Sequence, residues 1–189
     1  MNILKSVIVC CVLYSAPASA QLPSEASNIA EEKTIRIDPR EFEGLPADVT
    51  SDLLSRGCTI PQPYGADKEE GTVTASFFSP GSSDLAVLCS IDNVSTILVY
   101  RDSSTSEIHE LAQAADAGYL QTVDGDGEIG FSRAIGVATS KSIQAYYEFF
   151  GGPKPPLITH DGLENIYIGK ASTILYWYQD QWIGLQGND

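Results

Sequence analysis

From Thr72 to Tyr100 the chain reads as short apolar or alternating strand segments separated by polar turns, and this pattern constrains the fold more than any other feature of the chain. Val73, Ala75 and Phe77 alternate with Thr72, Thr74 and Ser76, the pattern of a half-buried strand. Ser79-Pro80-Gly81-Ser82-Ser83 is a turn, and Asp84 to Ile91 follows as a strand apolar on both faces, hence central. Asp92-Asn93 turns the chain again before Thr96-Ile97-Leu98-Val99-Tyr100. Three strands joined by short polar turns predict an antiparallel meander.

On either side the pattern is mixed. Residues 21–44 are polar, carry Glu25, Glu31, Glu32, Glu41 and Glu43, and read as a flexible N-terminal arm. Only Thr34-Ile35-Arg36-Ile37 in it looks able to join a sheet. Pro46 and Asp48 open a helix whose apolar stripe is Val49, Leu53 and Leu54 and whose cap is Gly57. Pro61-Gln62-Pro63-Tyr64-Gly65 breaks regular structure, and Asp67-Lys68-Glu69-Glu70 reads as a solvated loop. Ile108, Leu111, Ala112 and Ala115 fit a helix, but Glu107 to Leu111 fits a strand equally well, and the strand is taken here. Tyr119–Val123 and Glu128–Phe131 read as a hairpin around Asp124-Gly125-Asp126-Gly127. Ser140 caps an amphipathic helix with Ile143, Tyr146, Tyr147 and Phe150 on one face, ended by Gly151. After the stiff Gly152-Pro153-Lys154-Pro155-Pro156 connector, strands are expected at Asn165–Ile168, at Ser172–Tyr178 and around Trp182, Ile183 and Leu185. No internal repeat points to a solenoid.

Residues 1–20 are left out of the fold. Met1–Lys5 is a short basic start, Ser6–Ser15 is too short an apolar run to span a bilayer, and Ala18-Ser19-Ala20 matches a signal-peptidase site. A lipoprotein alternative would acylate Cys10 or Cys11, but no small residue precedes Cys10. Removing Met1–Ala20 takes one basic residue, Lys5, from the 11 and none of the 25 acidic ones, so the net charge moves from −14 to −15. Such a chain repels phosphate backbones and anionic lipid, which argues against nucleic-acid binding and membrane insertion and favours a cationic protein partner. Cys10 and Cys11 leave with the leader. Cys58 and Cys89 remain, and in an oxidising compartment they are expected to form a disulfide.

Three segments carry chemistry-bearing residues. Asp124, Asp126 and Glu128 alternate as calcium ligands do, but Ile129 and Ile135 stand where an EF-hand loop needs glycine and glutamate, so a plain turn is expected and no metal or other cofactor is assigned. His109 and His160 are the two histidines from which a catalytic triad or zinc site would have to draw, and His160 lies beside Asp161 and near Glu164; there is no HExxH, CxxC or G-x-S-x-G motif. Tyr176, Tyr178 and Trp182 belong to an aromatic cluster that is either a buried strand or, on one exposed face, a partner-binding strip.

Gly71 to Ser90, with Ala75-Ser76-Phe77-Phe78, Pro80-Gly81 and Asp84–Leu88, resembles one degenerate FG-GAP/VCBS-type strand pair. Ser79, Ser82 and Ser83 replace its acidic or amide ligands, so the resemblance brings no calcium site. The Arg56–Gln62 segment, the Asp84–Ser90 strand, Gly151–Pro156 and Lys170 through Trp182 resemble a group of small secreted bacterial proteins of uncharacterised function. That likeness implies a bacterial source and one domain, and carries no activity. Periplasmic inhibitors and immunity proteins of lysozyme-like effectors share the size, export and β-rich make-up as a class.

The expected protein is therefore α+β, a mainly antiparallel sheet of seven or eight strands with two short helices in a single domain over 45–189. Its expected role is that of a periplasmic or extracellular binding module without catalytic residues, with a basic cell-wall hydrolase as the most concrete partner. A secreted hydrolase using His160 and a structural envelope component are the alternatives. Intact-mass measurement of the exported protein should give a chain beginning at Gln21. A start far from Gln21, or an added diacylglyceryl group, would contradict the leader assignment.

Overall fold

The computed structural model describes residues 25–150 and 157–188. The expected leader Met1–Ala20, with Cys10 and Cys11, and the Gly151–Pro156 connector lie outside the described residues. The fold is α+β with antiparallel sheets throughout. Strands β3 (Thr72–Ala75), β4 (Asp84–Ile91), β5 (Val94–Tyr100) and β6 (Ile108–Ala115) form a meander in that order. Strands β9 (Arg133–Ala138), β10 (Gly162–Tyr167), β11 (Ala171–Tyr178) and β12 (Gln181–Gln186) form a second sheet ordered β12-β11-β10-β9. Two short antiparallel pairs complete the set, β1 (Arg36–Ile37) with β2 (Ile60–Pro61), and the hairpin of β7 (Leu120–Thr122) with β8 (Ile129–Phe131).

The layers follow from the side-chain alternation. In β4 and β5, Leu85, Val87, Cys89, Leu98 and Tyr100 point outward to α2 (Ala47–Arg56), where Val49 and Leu53 cover them. Ala86, Leu88, Ile97 and Val99 point inward and meet Phe131, Ile135 and Leu163 of the other half of the molecule. The outer face of the second sheet, with Ala138, Ile174 and Tyr176, is covered by Ile143 of α3 (Ser140–Phe150). The order helix, sheet, sheet, helix thus buries both faces of β4, which is why its sequence is apolar almost without interruption. Tyr100 is sealed under α2, where its hydroxyl donates to Asp52 at 2.8 Å; burial, reinforced by that carboxylate, pushes its pKa above the ordinary phenol range.

The turns obey local chemistry. Asp92-Asn93 and Gln179-Asp180 both take positive φ at two successive residues, the conformation whose twist matches tight hairpins. Helix α2 ends at Gly57 with φ +77°, and its N–H reaches back to the last-turn carbonyls. Cap placement at α3 differs by one residue from expectation: Thr139 Oγ1, and not Ser140, accepts the Ser142 amide at 3.1 Å.

Two larger differences concern elements the sequence hides. The arm over 21–44, expected to be flexible, has regular structure from Glu25: α1 (Glu25–Lys33) buries Ala30, β1 pairs with β2 as the 34–37 segment led one to expect, and Phe42 enters the core beneath α2. Polarity misleads there because Arg36 points inward, its guanidinium 2.8 Å from the buried Asp116 carboxylate. Strand β9 has no expected counterpart, because its buried Arg133 and its Gly136 mask the alternation.

Cys58, just after α2, and Cys89 of β4 form a disulfide with Cα atoms 5.3 Å apart. It closes a loop of 31 residues and staples α2 to the meander. Cys89→Ser should lower stability by roughly 3–4 kcal/mol on the chain-entropy account. Denaturant unfolding measures this, and a change below about 1 kcal/mol would show that the helix-to-sheet packing holds the loop without the bond.

Candidate functional site

A groove of about 630 Å³ lies between the arm, the 62–70 loop and β8. Its first wall is set by strand alternation: with Arg36 drawn inward to Asp116, its neighbours Ile35 and Ile37 turn the opposite way and line the groove. Its second wall is Tyr64, whose ring rests on β8. Gly130 leaves room for that ring, since a Cβ there would lie 2.6 Å from Tyr64 Cβ. Phe131 accepts the Tyr64 amide through its carbonyl at 2.7 Å, and the Tyr64 hydroxyl donates to Glu128 at 2.9 Å. That carboxylate holds the phenol above its ordinary pKa. Ile129 and Phe131 complete the apolar lining.

The loop is closed by Gln62. Its side-chain amide donates to the carbonyls of Ile60 and Glu70, its carbonyl oxygen accepts the Glu70 amide at 2.8 Å, and its backbone N–H donates to Ile35 at 2.8 Å. Both walls are therefore fixed by internal bonds before any ligand arrives. Lys33, Lys68, Glu69 and Glu128 stand among the lining residues, with Asp67 and Glu70 on the same loop and Asp124 and Asp126 on the β7–β8 hairpin.

The residues expected from the sequence are distributed differently. Tyr176 pairs with Ile183 and Trp182 with Trp177, so Trp182 lies on the opposite face of the sheet from Tyr176 and Tyr178. Tyr176 is buried and Tyr178 half-buried on the α3 side; Trp182 packs between the sheets with Phe78, Trp177 and His109. The three do not make one binding strip. This follows from the two-residue turn at Gln179-Asp180, which sets the register. His109, inside that aromatic cluster, bonds Glu107 at 3.0 Å, and together with Arg101 it holds Glu107 below its ordinary pKa. The Trp182 indole nitrogen is buried without a hydrogen-bond partner.

His160, Asp161 and Glu164 are near in sequence but engaged separately. The His160 ring nitrogen Nδ1 lies 3.0 Å from the Asp161 backbone carbonyl. Asp161 pairs through its amide and carboxylate with Ser76, and Glu164 accepts the Ser172 hydroxyl at 2.6 Å. These bonds tie β10 to its neighbours and aim neither carboxylate at the imidazole.

The Asp124 carboxylate accepts the amides of Asp126 at 3.0 Å and Glu128 at 2.9 Å, which makes the segment a side-chain-capped turn. Asp126 is exposed, and Glu128 faces Tyr64. Among the described residues, no group of three or more histidine, cysteine or acidic side chains is placed to hold a metal ion. No helix among them is long and apolar enough to cross a membrane.

The groove escaped the sequence reading because its lining comes from three separated segments, each plain alone. The available signal was the pair Ile35 and Ile37 in an otherwise polar arm. No protein-family model, curated protein or solved structure matches the chain.

Because one Asp124 oxygen already accepts two amides of its own loop and no metal-holding group of side chains forms among the described residues, calcium should leave thermal unfolding unchanged to within about 1 °C relative to chelator. A calcium-dependent rise of several degrees would overturn this, since bound ligand stabilises as RT ln(1 + [L]/Kd).

Proposed function

We propose that the protein is a non-catalytic binding module that works outside the cytoplasm, in the periplasm or the medium, and engages a cationic protein. One observation carries this reading: a pre-built apolar groove is bordered on two sides by acidic loops, and the Gln62, Tyr64 and Glu128 side chains of its lining are already committed to structural bonds. The groove lining contains neither histidine nor cysteine nor serine, so a hydrolytic site built on those side chains is not assembled there. The Cys58–Cys89 bond fits an oxidising compartment, and the Ala18-Ser19-Ala20 pattern fits export.

The net charge of −14 supports the nature of the partner. It would raise the encounter rate with a basic protein and oppose anionic ones. A basic cell-wall hydrolase is the concrete partner class, and inhibition of it the concrete consequence.

Stopped-flow association with a basic lysozyme tests this. The association rate should fall steeply, by about tenfold or more, between low ionic strength and ~0.5 M salt, because steering acts over roughly one Debye length. A salt-independent rate would remove the electrostatic argument. Turnover of an ester, peptide or glycan that vanishes in His160→Ala would replace the reading with the hydrolase.

A further inference from the structure

We infer that the groove between the arm and the β7–β8 hairpin docks a cationic segment of the partner, one in which bulky apolar side chains alternate with lysine or arginine. This rests on the binding-module reading and adds where the partner sits and what chemistry its segment carries.

The apolar half of the argument is exposure. Ile35 is 68% exposed and Tyr64 48% exposed, although both are held in place by backbone hydrogen bonds. Fixed, uncovered apolar side chains facing one concavity lose little conformational entropy on burial, which suits them as anchors. Ile35 and Ile37 stand one strand period apart, about 6.6 Å, so the wall matches a partner whose apolar side chains also recur at every second residue.

The charged half is the rim. Asp67, Glu69 and Glu70 lie on one bordering loop and Asp124, Asp126 and Glu128 on the other, against Lys33 and Lys68. Glu69 also accepts the Glu43 amide at 3.3 Å, which holds it toward the arm. The excess of carboxylates disfavours an anionic amphiphile such as a fatty acid, whose head would meet like charge. It favours cationic side chains projecting to either side of an apolar strip.

The test uses isotope-labelled protein carrying its disulfide and four probes: short synthetic peptides alternating leucine with lysine, serine with lysine and leucine with glutamate, and dodecanoate. The leucine–lysine peptide should bind with amide shift changes concentrated at Ile35, Tyr64, Gly130 and Phe131. The serine–lysine and leucine–glutamate peptides should each bind about tenfold or more weakly. Ile35→Ser should weaken the leucine–lysine peptide by about tenfold without moving the melting temperature, because the side chain is exposed. Tyr64→Phe, which keeps the ring, should bind within about twofold of the parent.

Shift changes centred on Asp92-Asn93 or on Trp182, with the groove unmoved, would overturn the docking site while leaving a cationic partner in place. Equal binding of the leucine–glutamate peptide would overturn the docking chemistry and the cationic-partner reading together. Equal binding of the serine–lysine peptide, no binding of the leucine–lysine peptide, or a preference for dodecanoate would each overturn the docking segment.

Discussion

Arg133 is the side chain on which the relation between the two sheets depends. It is fully buried in β9, and its guanidinium donates to Asn165 Oδ1 at 3.0 Å, the Ser95 carbonyl at 2.9 Å, the Ser95 hydroxyl at 2.7 Å and the Ala112 carbonyl at 2.5 Å. Its plane lies over the Tyr119 ring, with the central carbon 4.6 Å from the ring centroid. No carboxylate pairs with it directly, and burial works against its charged form. What compensates is the fork geometry, which satisfies acceptors of both sheets from one group. The register of β5 and β6 shifts between Ser95 and Ile97, and Ala112 takes φ +49°, so the irregularity presents to the guanidinium carbonyls that a regular ladder would have used. Replacing the arginine by an apolar residue would strand those acceptors at about 1–3 kcal/mol each.

The same polar seam reaches the arm. Asp116, at the end of β6, accepts the Ser90 hydroxyl at 2.7 Å and pairs with Arg36, and Arg36 also donates to Ser90 at 2.8 Å. Ser90 in turn exchanges backbone bonds with Thr59, next to the disulfide at Cys58. The orientation of Ile35 and Ile37 is thus the far end of a chain of bonds that begins between the sheets. A groove wall built from two residues of an edge segment would otherwise have little to hold it.

Where one residue's neighbours decide its conformation, the sequence was legible. β4 was bounded at Asp84 and Ile91 by its own turns, and α2 by Pro46 and Gly57. The β7–β8 hairpin followed from its Asp-Gly chemistry. Elements whose conformation depends on a distant partner were not legible. Arg36 and Arg133 look like surface residues until Asp116, Ser95 and Ala112 are placed around them, so β1 was legible only as a segment able to join a sheet and β9 disappears from the pattern. The aromatic trio was not legible for a subtler reason: Tyr176 and Tyr178 share a face by alternation, but the side on which Trp182 falls depends on the turn length, and one residue reverses it.

The distribution of polar groups also separates scaffold from surface. Asp84 is buried and accepts the amides of Phe77, Phe78 and Asp102 and the Ser82 hydroxyl. It fixes the Ser79–Ser83 turn, and its oxygens are used by the chain itself. Gln62 does the same in its loop, and one Asp124 oxygen accepts two amides of its own turn. With these groups engaged in internal bonds, two means of recognising another molecule stand out around the groove, exposed apolar side chains and charge. Ile35 and Tyr64 supply the first at one place, and the loops that carry Asp67 and Asp124 bring the second to the same rim. Affinity at such a site comes from apolar burial and its rate from charge, so the two can be altered independently by changes in different residues.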